Sequence, residues 1–358
     1  MGKSWIKLFV FFVTLFLSVA AGLNVFVDPL QQYKNINIVQ PVYLNARYLN
    51  AGIAKSYDYD SLVIGTSMSE NFLLNAVTTE LGFQKPIKMT VSGASVHDIN
   101  KVLKTAYKYN NINNVLYDIH YYSYTGDVGE FSKGKGSLPE YLYDDNLIND
   151  YQYLLNVDTI KLSFRALKFS LFDDENIILD KNHMYQWQHL FENSFGTKKL
   201  IKAWDKRAKD YNVTLIKSQN SFEKLRNNFD TNILPIVKAH PETTFYFYYP
   251  PYSILKYKQF KNRGWFINIL LFKKYLFTAL SKYSNVKLYD FQTAKEITHN
   301  LKNYRDISHY HQKTNQWMLQ EIKKDNFRVT SENVEKTNKE ISAQINDFNL
   351  SNQRGISE

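Results

Sequence analysis

The chain has 358 residues, no cysteine, and 44 Lys and Arg against 34 Asp and Glu, a formal charge of +10. That length can bury one large α/β core or two smaller ones. The missing thiols exclude disulfides, thiolate metal sites and a cysteine nucleophile. The cations are scattered among Tyr, Asn and Phe instead of forming a stripe, so no nucleic-acid partner is expected, and compositional drift explains the excess better than a dedicated polyanion surface.

Lys3 and Lys7 precede an apolar run from residue 8 to 27, interrupted only by Thr14, Ser18, Gly22 and Asn24. The run matches the ~20 residues that a bilayer crossing needs. Val19-Ala20-Ala21-Gly22 is small enough for a signal peptidase, but the run is longer than the about 7 to 15 residues of a signal-peptide core. Residues 1–27 therefore read as an uncleaved anchor with its positive end inside, leaving the rest of the chain outside the cytoplasm. With no cysteine, a Gram-positive surface is the expected setting. Residues 28–60, with Pro29, Pro41 and a short helical pattern over 44–54, read as a juxtamembrane lead-in.

From Ser61 the pattern alternates. Apolar runs at 62–65, 87–91, 114–120, 243–249 and 286–290 read as strands, and 71–81, 97–109, 221–240 and 266–283 as helices. Such alternation implies βαβ units and a parallel sheet. Residues 141–217 break the pattern, being rich in aromatics and amides with helical patches at 151–157 and 198–211, and read as an insertion or cap. A catalytic domain over 61–327 closes after 306–324, and the polar stretch 328–358 reads as a mobile tail.

Three residues carry the chemistry. Ser67 lies in Gly65-Thr66-Ser67-Met68-Ser69-Glu70-Asn71, directly after an apolar strand. A serine hydroxyl needs an imidazole to take its proton and a carboxylate to orient that imidazole. Asp306 and His309, in Tyr304-Arg-Asp-Ile-Ser-His-Tyr310, supply both within one turn. The competing reading of Ser67 is a helix N-cap. His311 is a second candidate base, and Glu70 reads as structural, favoured by the dipole of a first helical turn. His97, Asp118 and His120 fall near the sheet end without the spacing of a metal site, so no metal or cofactor is expected.

Gly65-Thr66-Ser67, then Gly93 in Val91-Ser-Gly-Ala-Ser95, then Asp306-Ile-Ser-His309, in that order across an α/β domain, is similar to the SGNH (GDSL-type) serine hydrolases. The likeness is to the membrane-anchored kind associated with acylation of cell-surface polymers. The resemblance spans residues 61 to about 320 and implies a flavodoxin-like three-layer α/β/α fold. It assigns Ser67 as nucleophile, His309 as base, Asp306 as its orienting carboxylate, and the backbone N–H groups of Ser67 and Gly93 as oxyanion donors. Thr66 stands where the better-known pattern has Asp. Tyr117-Asp-Ile-His-Tyr-Tyr122 lacks the Asn of the family's third block, which leaves a two-donor hole or a Tyr hydroxyl. Tyr249-Pro-Pro-Tyr-Ser253 follows a strand and reads either as a substrate-lining surface, with Tyr249, Pro250, Tyr252 and His311 contributing, or as a rigid turn. The implied activity is an extracytoplasmic esterase or O-acyltransferase. It would act on a cell-surface polysaccharide or teichoic acid through an acyl-serine and cooperate with a multi-spanning O-acyltransferase. The alternatives are a catalytically weak glycan-binding or assembly subunit and a lipase.

Overall fold

The computed structural model describes residues 2–33, 39, 41–132, 136–172, 179–207 and 221–355. Five parallel strands form one sheet: β1 (Ser61–Ile64), β2 (Pro86–Lys88), β3 (Asn114–Asp118), β4 (Thr244–Tyr249) and β5 (Val286–Asp290), in the order β2-β1-β3-β4-β5. Strands buried on both faces need unbroken apolar runs. Leu62, Val63 and Ile64 are wholly buried, with Leu62 in register between Ile87 and Val115. Parallel neighbours require crossovers. Helices α3 (Leu74–Leu81) and α4 (Val96–Tyr109) make the first two, and α8 (Phe222–Asn232) and α9 (Leu234–Ala239) precede β4. Helices α10 (Ile254–Asn262) and α11 (Phe266–Leu280) connect β4 to β5. The helix expected over 221–240 is thus two, divided at Ile233 just before Pro235 in the first turn of α9. A proline has no N–H to continue a helical ladder.

Helix α1 (Gly2–Val27) contains a stretch, Lys3–Val27, long and apolar enough to cross a membrane. Residues 28–60 are not a mere lead-in. Asp28 is buried, its carboxylate accepting from Tyr153 Oη and the backbone N–H groups of Gln32 and Tyr33. Helix α2 (Ala46–Ser56) sets Leu49, Ala51, Ile53 and Ala54 into the main core. Its Gly52 touches the preceding loop so closely that a Cβ would sit 2.1 Å from Leu30 O.

The described residues of the insertion contain α5 (Tyr151–Leu154), α6 (Val157–Leu171) and α7 (Thr197–Arg207) with several short 3-10 turns. Its residues 173–178 and 208–217 lie outside the described residues. After it come α12 (Lys295–Thr298) and α13 (Gln312–Lys323).

The expected mobile tail is an error of reading from composition. Val329 N–H donates to Leu288 O at 2.8 Å, and α14 (Val334–Asp347) buries Val334, Ile341 and Ile345, with Phe348 just beyond it. Those four recur at helical intervals, so a single apolar stripe is enough to dock an otherwise polar helix against α10 and α11. A last short helix, α15 (Ser351–Gly355), follows, and 356–358 lie outside the described residues.

Candidate active site

The order of strands reverses at β1, whose neighbours β2 and β3 are reached by crossovers in opposite directions. The crevice at the carboxyl ends of such strands is where open α/β sheets place ligands. Here β1 stops at Ile64 and the chain turns sharply through residues 65–71, with α3 starting only at Leu74. Gly65 makes the turn possible. Its φ is +132°, and a Cβ would lie 1.5 Å from Asp118 Oδ1. Asp118, at the end of β3, ties the turn together: Oδ1 accepts from Thr66 N–H and Ser69 Oγ, and Oδ2 from Thr66 Oγ1, each at 2.7 Å. Ser69 Oγ also meets Tyr248 Oη from β4 at 2.7 Å. Burial pushes the Asp118 carboxyl up to about 7 against the opposing pull of the Thr66 and Ser69 hydrogen bonds.

Ser67 sits on this turn and is not a helix cap, since the N-cap of α3 is Leu73. Glu70 likewise belongs to the turn, short of any helix. Ser67 Oγ lies 2.9 Å from His309 Nε2, and His309 Nδ1 lies 2.8 Å from Asp306 Oδ2. The Asp306 loop is closed locally, its Oδ1 accepting from the N–H groups of Ser308 and His309 at 2.9 and 3.0 Å. Burial acts to raise the Asp306 carboxyl, but the hydrogen bond and charge of His309 and these backbone donors outweigh it and hold it well below the usual carboxylate range. An ionised carboxylate against Nδ1 presents Nε2 to the serine in the tautomer that accepts its proton.

Beyond β2, Ser95 and Asp98 form a reciprocal capping box at the start of α4, which leaves Gly93 exposed at φ +66° with open space where a Cβ would be. Among the described residues, no hydrogen bond occupies the N–H of Ser67 or of Gly93. Val91 N–H donates to Gly65 O, which brings the Gly93 loop alongside the serine turn.

The Tyr249-to-Ser253 segment does not line the crevice. Tyr249, Pro250 and Tyr252 are all buried, and the segment packs against the loop that carries Asp306 and His309. Ser253 Oγ donates to Ile307 O at 2.7 Å, and Tyr304 Oη to Pro251 O at 2.8 Å. Lys273, at 5.0 Å from the Tyr249 ring centroid, is held in a buried ion pair with Asp290. His311 caps α13, its Nδ1 accepting from Lys313 N–H and its Nε2 meeting Gln188 Nε2, and among the described residues no hydrogen bond joins it to Asp306 or Ser67.

Two residues complete the neighbourhood from afar. Trp187, in the insertion, donates Nε1–H to Ser67 O at 2.9 Å and presents its ring to His309 edge-on at 5.4 Å. Arg305 stacks over Trp187 and Phe191. His120, two residues past β3, is partly buried, with Nδ1 2.6 Å from Tyr252 Oη. The contact engages the ring through Nδ1, and among the described residues no hydrogen bond occupies its Nε2. Burial, then the neighbouring charges of Lys256 and His309, push His120 down to about 3. The imidazole is therefore uncharged near neutral pH. Trp187 has no usable signal in the sequence, being 120 positions from Ser67, whereas the sequence places His120 near the sheet end, after β3, but gives it no role. A cleft of about 570 Å³ borders the turn, lined among others by Arg47, Glu70, Ser92, Arg165, His189 and Trp187.

No protein-family model matches the chain, and no curated protein matches it. Among solved structures, it is similar to a protein from Streptococcus pneumonia provisionally described as a platelet activating factor. The two share 11% identity at a TM-score of 0.40, over 79% of this chain and 90% of that one. A likeness at that level carries no argument about fold or function.

Proposed function

We propose that the chain is a membrane-tethered serine esterase or O-acyltransferase of the SGNH type, acting outside the cytoplasm on acyl esters of a cell-envelope glycan or teichoic acid. The observation that carries the reading is the unbroken chain Ser67 Oγ, His309 Nε2, His309 Nδ1, Asp306 Oδ2, at 2.9 and 2.8 Å, on a turn at the carboxyl end of a parallel sheet. The strand order 2-1-3-4-5 is that of flavodoxin-like doubly wound sheets, which supports the three-layer arrangement.

In this mechanism Ser67 Oγ attacks the ester carbonyl as His309 takes its proton. The C–O bond to the leaving alcohol breaks as His309 returns that proton, leaving acyl-Ser67. Water or a sugar hydroxyl then resolves the acyl-enzyme with His309 again as base. The oxyanion is received by the N–H groups of Ser67 and Gly93, with His120 Nε2–H as a third donor in the place of the missing Asn. A multi-spanning acyl carrier in the same membrane is the partner such chemistry calls for when the acyl group comes from inside the cell.

The experiment is labelling of the full chain in detergent by a fluorophosphonate probe. Wild type should label, and Ser67→Ala and His309→Ala should not, with ester turnover falling roughly 10⁴- to 10⁶-fold in either variant. A folded wild type that neither labels nor turns over acyl esters would overturn the enzymatic reading in favour of a binding subunit.

A further inference from the structure

Outside α1, most of the large apolar side chains that are more than 60% exposed fall between residues 147 and 172, with Leu190 and Ile267 lying elsewhere. Leu147, Ile148, Val157, Phe164, Leu171 and Phe172 are between 61% and 86% exposed, although the protein has a core in which to bury such groups. The arrangement on α6 is two-faced. Thr159, Ser163, Ala166 and Phe169 are buried at helical spacing. Val157, Phe164 and Leu171 recur every seven residues on the opposite side, with the exposed Lys161 and Lys168 two turns apart between them and Arg165 beside them.

The buried face says where this helix stands. Ser163 Oγ donates to Asn24 Oδ1 at 2.7 Å, and Asn24 Nδ2 donates to Leu154 O at 2.8 Å. Ala166 and Phe169 share a cluster with Val27, the last residue of α1. Thus α5 and α6 clasp the final turns of α1, at the point where that helix leaves the bilayer if it spans one. An apolar stripe interleaved with lysines, lying beside the exit of an anchor, has the composition of an interfacial helix: the apolar side chains enter the boundary between headgroups and acyl chains, and the lysines reach the phosphates.

We propose that the outward face of α6, together with Leu147 and Ile148, is a membrane-docking surface whose occupant is the outer leaflet of the bilayer that α1 crosses. The occupant follows from continuity with α1, and the inference rests on reading α1 as a transmembrane anchor. Its consequence for the site is orientation. Arg165, on α6, also lines the cleft that Glu70 and Trp187 border next to Ser67. Docking α6 on lipid holds that cleft at the membrane surface, where it meets esters presented at the headgroup layer before those far out in the envelope.

Because the chain has no cysteine, one introduced thiol is unique. Full-length Phe164→Cys and Leu171→Cys, labelled with an environment-sensitive fluorophore, are placed in nanodiscs of zwitterionic and anionic phospholipid at one chain per disc. Phe16→Cys in α1 and Lys282→Cys, exposed and outside the segment, serve as references. Labels at 164 and 171 should emit to the blue of the label at 282 and be quenched about twofold more than it by lipids spin-labelled near the headgroup. The label at 16 should respond to lipids spin-labelled deep in the acyl chain. Water-like emission at 164 and 171 with normal deep quenching at 16 overturns the docking surface and leaves the anchor standing. No quenching at 16 overturns the anchor and this inference with it. Shielded emission at 164 without lipid quenching assigns the face to protein and also overturns the proposal.

Discussion

Asp118 and His120, at the carboxyl end of β3, are placed to act on the serine turn and, in the proposed mechanism, on the oxyanion. In the proposed mechanism His120, kept neutral chiefly by burial and engaged at Nδ1 by Tyr252, donates from Nε2 to the developing oxyanion without competing with His309 as a base. His120→Ala is expected to lower kcat about 10²- to 10³-fold with little change in KM. His120→Asn, which restores an N–H donor, should recover most of the loss; equal KM and kcat effects would instead mark a structural role. Asp118 makes a prediction of a different kind. Its folded pKa of about 7 lies above the ordinary carboxylate value of about 3.9. The sign follows by linkage: the folded state holds the proton more tightly, so this contribution to stability is full below about pH 4 and is lost as pH rises through about 7. Asp118→Asn keeps a carbonyl acceptor for Thr66 and Ser69 but has no proton to lose. Denaturation midpoints should therefore favour wild type over the variant most at pH 5, with the gap narrowing by pH 8. A gap independent of pH would show that Asp118 is ionised throughout.

At the scale of elements, α14 sets a local rule against a global one. Its composition is that of a disordered tail, yet Ile341 and Ile345 are 1% and 2% exposed. Truncating either to Ala should cost roughly 2 to 5 kcal/mol, as for a core isoleucine, readable as a shift in the urea midpoint at constant m-value. A tail off the fold would show no shift. The same contrast explains what the sequence made legible. Strands β1 to β5 stand out because buried parallel strands must be continuous apolar runs. Ser67, Asp306 and His309 stand out because a strand-end turn and an Asp-x-x-His loop are local patterns. Helix α14 is carried by Val334, Ile341 and Ile345 among its fourteen residues and by Phe348 just beyond it, too sparse a stripe for composition to reveal. The Tyr249-to-Ser253 segment follows a strand into the crevice side of the sheet, but whether its rings face solvent or the catalytic loop depends on Ile307 and Tyr304, some fifty residues on. Trp187 reaches Ser67 only because the insertion folds back over the turn, and nothing in its own neighbourhood announces that.

At the scale of the whole molecule, the described residues form one dominant core and one satellite. The sheet, its crossover helices, α2 and α14 share a continuous apolar cluster that includes the supports of the triad. The cluster of Val27, Val39, Val42, Ala166 and Phe169 is separate from it and joins α1 to α6. Removing α1 by starting the chain at Asp28 takes away Val27 and both Asn24 hydrogen bonds, which hold α5 and α6 in place. It leaves the main core untouched. Local stability follows local contacts, so the shortened protein should keep fluorophosphonate labelling at Ser67 while residues 146–172 become cleavable roughly tenfold faster in limited proteolysis than in the full chain. Loss of labelling together with cleavage throughout would mean that the anchor is part of one cooperative unit with the active site. Equal protection of 146–172 with and without α1 would mean that α6 is held by the main core, and that the clasp on α1 positions the membrane helix but does not stabilise the domain.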